Sequence, residues 1–271
     1  MNNNLKILIL ILSILIFLCL SYIICSNITD KFINKYNICV LMWYDDKIKD
    51  YADKCYEINK KYCEKHGFDI LKSDKRFYKD NREQTYEKAP LILEHLHRYD
   101  YIIWIDADAH FYLDSPGIYK FIKKYSNYNF ILSGDIDADY IEDIKTQNIN
   151  RQKTYIINAG VMIIKNSEYS KKVLRHWITS DELKNRANKK YKYLDQGIVR
   201  LYRNENINNF QQESIVLQYG VIQIFTIDKV NTKFYKDYPY LLKYKPYIIH
   251  HADLSSQERL KLVNKYYKDH M

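Results

Sequence analysis

The chain has 271 residues, a formal net charge of +9, 47% hydrophobic and 28% charged residues. Those values exclude a wholly disordered chain and a multi-span membrane protein, and they fit one large domain with a short appendage. The 28 tyrosines against 6 glycines and 4 prolines, with abundant Lys, Asn and Ile, point to an AT-rich coding sequence of the kind found in some protists and large DNA viruses. The positive charge is then largely compositional, and with no basic stripe or zinc-finger spacing no nucleic-acid partner is expected.

In chain order, Ile7 to Cys25 is apolar apart from Ser13, Ser21 and Tyr22. As a helix it would be roughly 28 Å long, about the hydrocarbon thickness of a bilayer. It lacks the small-x-small end of a cleaved signal peptide. The expectation is therefore a short cytoplasmic head and transmembrane signal-anchor over residues 1–30. It would make a single-pass type II protein, attached to the membrane through this helix. The remainder would face a Golgi- or ER-like lumen, that of a host cell if the source is viral. Asn27-Ile28-Thr29 would then be a glycosylation sequon. Beyond the anchor, Cys39, Cys55 and Cys63 form an odd set without a CxxC pair, as expected of buried free thiols.

Asn37 to Trp43 reads as a buried strand and residues 49–66 as a helix ended by Gly67. Phe68–Leu71 reads as a short strand, Ala89–Arg98 as a helix and Tyr101–Ile105 as a strand. Ser115-Pro116 reads as an N-cap and first-turn proline opening a helix. Asn129–Leu132 is a predicted strand, and two short strands are predicted to flank Asn158-Ala159-Gly160. Helices are predicted over Ser167–Thr179 and Asp195–Tyr202. Gly220–Ile227 alternates like a strand, Tyr247–His250 is a last strand, and Ser255 with Glu258 makes a capping box. Strands alternating with helices predict an α/β layered fold, with residues 31–271 as one domain.

The chemistry concentrates where Tyr101-Ile-Ile-Trp-Ile runs into Asp106-Ala107-Asp108. Ligands of open α/β sheets bind beyond the carboxyl ends of strands. Two carboxylates at i and i+2 repel unless a cation sits between them, and oxygen donors suit Mg²⁺ or Mn²⁺. The rival acidic run Asp135-Ile136-Asp137-Ala138-Asp139 leads into more polar residues and reads as a solvated loop. Haloacid-dehalogenase phosphatases also open on a strand ending in D-x-D, but near the domain start and with a different fourth residue from Ala109.

Four motifs in order carry a resemblance. Thr85-Tyr86-Glu87-Lys88 leads by a helix to Trp104-Ile105-Asp106-Ala107-Asp108-Ala109. Asn158-Ala159-Gly160-Val161-Met162-Ile163-Ile164-Lys165-Asn166 follows, then Leu194-Asp195-Gln196-Gly197, then Pro246-Tyr247-Ile248-Ile249-His250-His251-Ala252. Together they resemble the GT-A nucleotide-sugar glycosyltransferases, especially retaining families 8 and 34. The match spans Val40 to about Leu254. The resemblance implies a Rossmann-like GT-A domain over residues 31–271, with Mn²⁺ (or Mg²⁺) held by Asp106, Asp108 and His250; His251 competes for the last place. It implies donor contacts from Lys88, Ala107, Asn158 and Gly160, and roles for Asp195 and Gln196 near the reacting sugar. The lysine that these families place after the histidine is replaced by Ser255 and Ser256, so Arg259 or Lys261 would have to grip the diphosphate. Tyr44 is a candidate to stack on the donor base. The activity implied is retaining transfer of a hexose or pentose from a nucleotide-diphosphate sugar to a glycan or glycoprotein. The alternatives are an inactive, membrane-tethered binding or scaffold module of the same fold, and a metal-dependent phosphatase.

Overall fold

Uninterrupted apolar runs dominate the central strands, as expected where both faces of a sheet are covered by helices. In the computed structural model the described residues are 11–21, 36–79, 84–135, 157–191, 194–217, 219–226 and 246–271. The chain divides into two units, Met1–Tyr36 and Asn37–Met271.

Within the first unit, residues 11–21 are helical (α1). The expected anchor is overturned: among the described residues no helix is long and apolar enough to cross a membrane. Membrane attachment, the type II orientation and the lumenal location fall with the anchor. The rest of the apolar run and the Asn27 sequon lie outside the described residues.

The second unit starts with β1 (Ile38–Trp43), buried along its whole length, and α2 (Lys49–His66). Gly67 ends α2 at φ 71°, a left-handed position that favours glycine. β2 (Asp69–Ser73), α3 (Lys88–Leu96) and β3 (Tyr101–Ile105) follow. Next come β4 (Ala109–Phe111), α4 (Tyr119–Lys124), β5 (Phe130–Gly134) and β6 (Ile157–Lys165). Three helices stand after β6: α5 (Glu168–Thr179), capped by the Ser167 side chain, α6 (Asp181–Tyr191) and α7 (Leu194–Asn204). The short α8 (Phe210–Glu213) leads into β7 (Ser214–Leu217). β8 (Gln223–Phe225), β9 (Ile248–His250) and α9 (Ser256–His270), which carries the predicted Ser255–Glu258 capping box, complete the described elements.

Six strands form the main sheet in the order β2-β1-β3-β6-β5-β7. β1 is parallel to β2 and β3, β6 is antiparallel to β3 and β5, and β7 is parallel to β5. A small second sheet has the order β4-β9-β8. One face of the main sheet packs Leu41, Trp104 and Met162 against Leu91, Leu174 and Trp177. α9 lies along α2, and α7 packs on β6. Cys39, Cys55 and Cys63 are buried and free.

Two local expectations are corrected. Ser115-Pro116 does not open a helix: the Tyr62 hydroxyl donates to the Pro116 carbonyl at 2.7 Å and accepts from the Ile118 N–H at 3.0 Å. Those bonds hold the segment as a turn, and α4 begins at Tyr119. Asn158-Ala159-Gly160 does not separate two strands but lies inside the single β6, where a shift in pairing at Leu132/Ser133 absorbs the irregularity. Neither α6 nor β7 was anticipated; α6 buries only Leu183, Lys184 and Ala187 and so shows little apolar periodicity.

Candidate active site

β3 delivers Asp106 to the carboxyl edge of the main sheet. The backbone N–H of Asp106 donates to the Gly160 carbonyl at 2.8 Å, and the Ala109 N–H closes the turn on the Asp106 carbonyl at 3.0 Å. The chain then enters β4, which pairs antiparallel with β9 so that Ala109 stands opposite His250. The His251 N–H donates to the Asp108 carbonyl at 2.9 Å and fixes that register. A residue 142 positions downstream of Asp108 is thereby brought back to it: His250 Nε2 lies 3.1 Å from Asp108 Oδ1.

Asp106, Asp108 and His250 each turn one ligand atom inward, all within 4.8 Å of one another. Two carboxylates and one imidazole are a donor set suited to Mn²⁺ or Mg²⁺, and such crowding of negative oxygens needs a counter-charge. The residues present therefore fit a divalent cation. His250, not His251, faces the cluster. His251 points its Nδ1 at Thr226 Oγ1, 2.6 Å away, and burial pushes its pKa down to about 4.

The protein's own cations surround the carboxylates. Burial alone would raise the Asp108 carboxyl, but His250 and Arg259 outweigh it and hold it well below the usual carboxylate range. Arg259 Nε lies 3.0 Å from Asp108 Oδ2 and donates to the His251 carbonyl at 3.0 Å. Arg259 thus reaches the cluster from the first turns of α9. Burial disfavours the charged His250 ring, and Asp108 more than offsets it, raising the ring above its ordinary value.

Lys88, buried at the start of α3, bridges the cluster to α7. Its Nζ lies 3.1 Å from Asp106 Oδ1 and 2.6 Å from Asp195 Oδ2, and donates to the Ala159 carbonyl at 2.8 Å. Burial opposes its charge, but Asp106 and Asp195 together raise its pKa and keep it an ammonium. Gln196, next in α7, accepts from the Ala159 N–H at 3.0 Å. The Asn158 side-chain oxygen accepts from the Gly160 N–H at 2.9 Å and from Gln223 Nε2 at 3.0 Å. At Gly160 a Cβ would collide with the His250 ring and lie 2.9 Å from its Nδ1, so only glycine fits.

A cavity of about 170 Å³ opens beside the cluster, lined by Trp43, Ile48, Tyr51, Gln84, Thr85, Lys88, Trp104, Asp106, Ala107 and Asp108. Tyr44 does not line it. The Tyr44 hydroxyl donates to Asp53 at 2.8 Å, and its ring borders a neighbouring hollow with Asp45, Asp46 and Lys72. Of the residues singled out from sequence, Asp106, Asp108, His250, Lys88, Asp195 and Arg259 form one connected group. Asn158, Gly160 and Gln196 support it through β6, and Ala107 lines the cavity. Trp43, Tyr51 and Gln223 were missed. Trp43 and Tyr51 carried a readable signal, an aromatic at the end of a buried strand and one in the first turn of the next helix. In the rival acidic run, Asp135 pairs with Arg200 at 3.0 Å, while residues 136–143 lie outside the described residues.

A sequence model of the galactosyl transferase GMA12/MNN10 family matches residues 34–269. Among curated proteins, none matches the chain significantly. A solved glycosyltransferase involved in the glycosylation of the major capsid of PBCV-1 aligns with TM-score 0.59 at 16% identity, covering 84% of this chain and 99% of that one. Mouse xyloside xylosyltransferase 1 aligns at 0.48 and 11% identity, covering 80% and 98%. The galactosyltransferase LgtC aligns at 0.45 and 12% identity, covering 84% and 95%. The fold is the α/β GT-A fold.

Proposed function

Because the chain belongs to the galactosyl transferase GMA12/MNN10 family, we propose that it moves a hexose or pentose from a nucleotide-diphosphate sugar to a hydroxyl of a glycan or glycoprotein, with retention of configuration. The family and the GT-A fold support glycosyltransferase activity; the donor, acceptor and stereochemistry are part of the proposal. Residues 31–271 would be the catalytic domain. The observation that carries the reading is the convergence of Asp106, Asp108 and His250 beside a cavity at the end of β3.

A divalent cation, when bound, supplies positive charge that offsets the charge developing on a departing diphosphate. Asp106, Asp108 and His250 would hold it. Arg259 and Lys88 flank the same place, and a guanidinium suits phosphate oxygens through its planar fork. The missing lysine after the histidine supports Arg259 in that role. Ala107 would let the donor approach the backbone closely, whereas the space beside Gly160 is taken by the His250 ring. Trp43 and Tyr51 offer the cavity's apolar faces, whereas Tyr44 is tied to Asp53. Asp195 is held in an ion pair with Lys88. This supports a route in which the acceptor hydroxyl loses its proton to the leaving phosphate oxygen as the new glycosidic bond forms, with Asp195 and Gln196 fixing the geometry rather than removing the proton.

The test is a panel of nucleotide sugars incubated with the full chain and Mn²⁺, reading released nucleotide. Asp106→Ala and Asp108→Ala should each abolish release with any donor that the wild type uses. Full activity in either would defeat the cation assignment. A wild type that binds no donor by calorimetry would favour a non-catalytic binding module.

A further inference from the structure

The cation cluster depends on which nitrogen of His250 carries a lone pair, and a chain of hydrogen bonds starting at a backbone amide determines it. We propose that Gln223 and Asn158 are positioning residues that fix His250 as the Nδ1–H tautomer, leaving Nε2 to the cation. The inference rests on the cation site described above.

The Gly160 backbone N–H can only donate. The Asn158 side-chain atom 2.9 Å from it is therefore the oxygen. Gln223 places one amide atom 3.0 Å from that same oxygen, so that atom is its NH₂. The other Gln223 atom, its oxygen, then faces His250 Nδ1 at 3.1 Å. An amide oxygen only accepts, so Nδ1 bears a hydrogen. Nε2 is the nitrogen on the side of Asp108, 3.1 Å from Oδ1. Each assignment follows from the one before, and the first member cannot flip.

The surroundings enforce the relay. Gln223 is fully buried, and Asn158 and His250 nearly so, so water does not compete for these bonds. β8 and β9 pair in parallel and carry Gln223 and His250 on one small sheet. The relay also reassigns Asn158. Its oxygen is already engaged by Gly160 and Gln223, so Asn158 acts on the cluster through His250. A ligating histidine whose second nitrogen is held by an outer partner binds metal more tightly, and loss of such partners typically costs about 10–100-fold in affinity.

The experiment uses the full chain. Mn²⁺ affinity is measured by electron paramagnetic resonance for wild type, Gln223→Leu, Gln223→Glu and Asp108→Ala. Alongside, the His250 tautomer is read by long-range proton–nitrogen NMR on ¹⁵N-histidine protein with Mg²⁺ at mildly alkaline pH. Gln223→Leu should bind Mn²⁺ about 10–100-fold more weakly with an unchanged circular dichroism spectrum. Gln223→Glu keeps the acceptor for Nδ1 but loses the donor to the Asn158 oxygen, so it should lose less Mn²⁺ affinity than Gln223→Leu. The wild-type spectrum should show Nδ1–H. Wild-type affinity in Gln223→Leu, or an Nε2–H signal in the wild type, overturns the proposal; the second reading stands even if the leucine variant does not fold. If wild type and Asp108→Ala bind Mn²⁺ equally, the cation site itself fails. If Asp108→Ala loses Mn²⁺ while Gln223→Leu does not, only the relay fails.

Discussion

Lys88 and Asp195, separated by 107 positions in sequence, meet at 2.6 Å, and Asp106 lies 3.1 Å from the same ammonium. One buried cation therefore holds two carboxylates from different elements, and α3, β3 and α7 are tied to the site through a single nitrogen. Removing it strands the buried Asp195, while Asp106 keeps the Trp104 indole N–H at 2.6 Å. Lys88→Met should destabilise the domain by about 3–5 kcal/mol, as for other buried pairs broken on one side. The double variant Lys88→Met with Asp195→Leu should recover part of that loss, because one stranded charge is gone. Urea denaturation of the three proteins measures both differences.

Gly160 is pressed against His250 so closely that a methyl group has no room. Gly160→Ala should push the imidazole away from Asp108 and weaken Mn²⁺ binding by at least about tenfold. The accompanying overpacking should cost about 1–3 kcal/mol, so the variant should still fold. Mn²⁺ titration and a thermal melt separate the two effects.

Arg259 occupies Asp108 Oδ2 while also flanking the place expected for a diphosphate. Arg259→Ala should therefore split two affinities. Mn²⁺ alone should bind no more weakly than in wild type, since a competing positive charge has been removed. Pyrophosphate added with Mn²⁺ should bind more weakly, by about 2–3 kcal/mol if a charge-assisted bond is lost. Calorimetry with each probe measures the split, and equal weakening of both would count against it.

The Tyr62 hydroxyl both donates to Pro116 and accepts from Ile118, and its ring stacks on Phe111 at 3.9 Å between centroids. Tyr62→Phe keeps the stacking and orphans the Ile118 N–H. A loss of about 1–3 kcal/mol is expected, read by denaturation, with little change in Mn²⁺ affinity because the cluster is untouched.

These positions differ in how far the sequence disclosed them. β3 and the D-x-D turn were legible because a fully buried strand ending in acids is a local pattern. α2 was legible because its periodicity stops at a glycine that takes a left-handed conformation. The turn at Ser115-Pro116 was misread because its helix-start signals are local, whereas the bonds from Tyr62 that override them come from α2. The anchor is read from hydropathy over Ile7 to Cys25, yet among the described residues no helix is long and apolar enough to cross a membrane. Gln223 gave no warning, since a polar residue facing inward in an alternating strand has meaning only once Asn158 and His250 are known to flank it. Tyr44 stands directly after β1, where its hydroxyl is held by Asp53 and its ring lines a separate hollow from the cavity beside the cluster.

β9 and α9 supply His250 and Arg259, yet every strand of the six-stranded sheet is in place by Leu217. Domains tend to form from the N-terminal side as a chain is synthesised. A growing chain could thus complete its main sheet and still have only two of the three residues proposed to hold the cation. Donor chemistry would then begin only once the last strand has docked against β4, so that the site reports on the completeness of its own domain. A half-made chain would not consume nucleotide sugar.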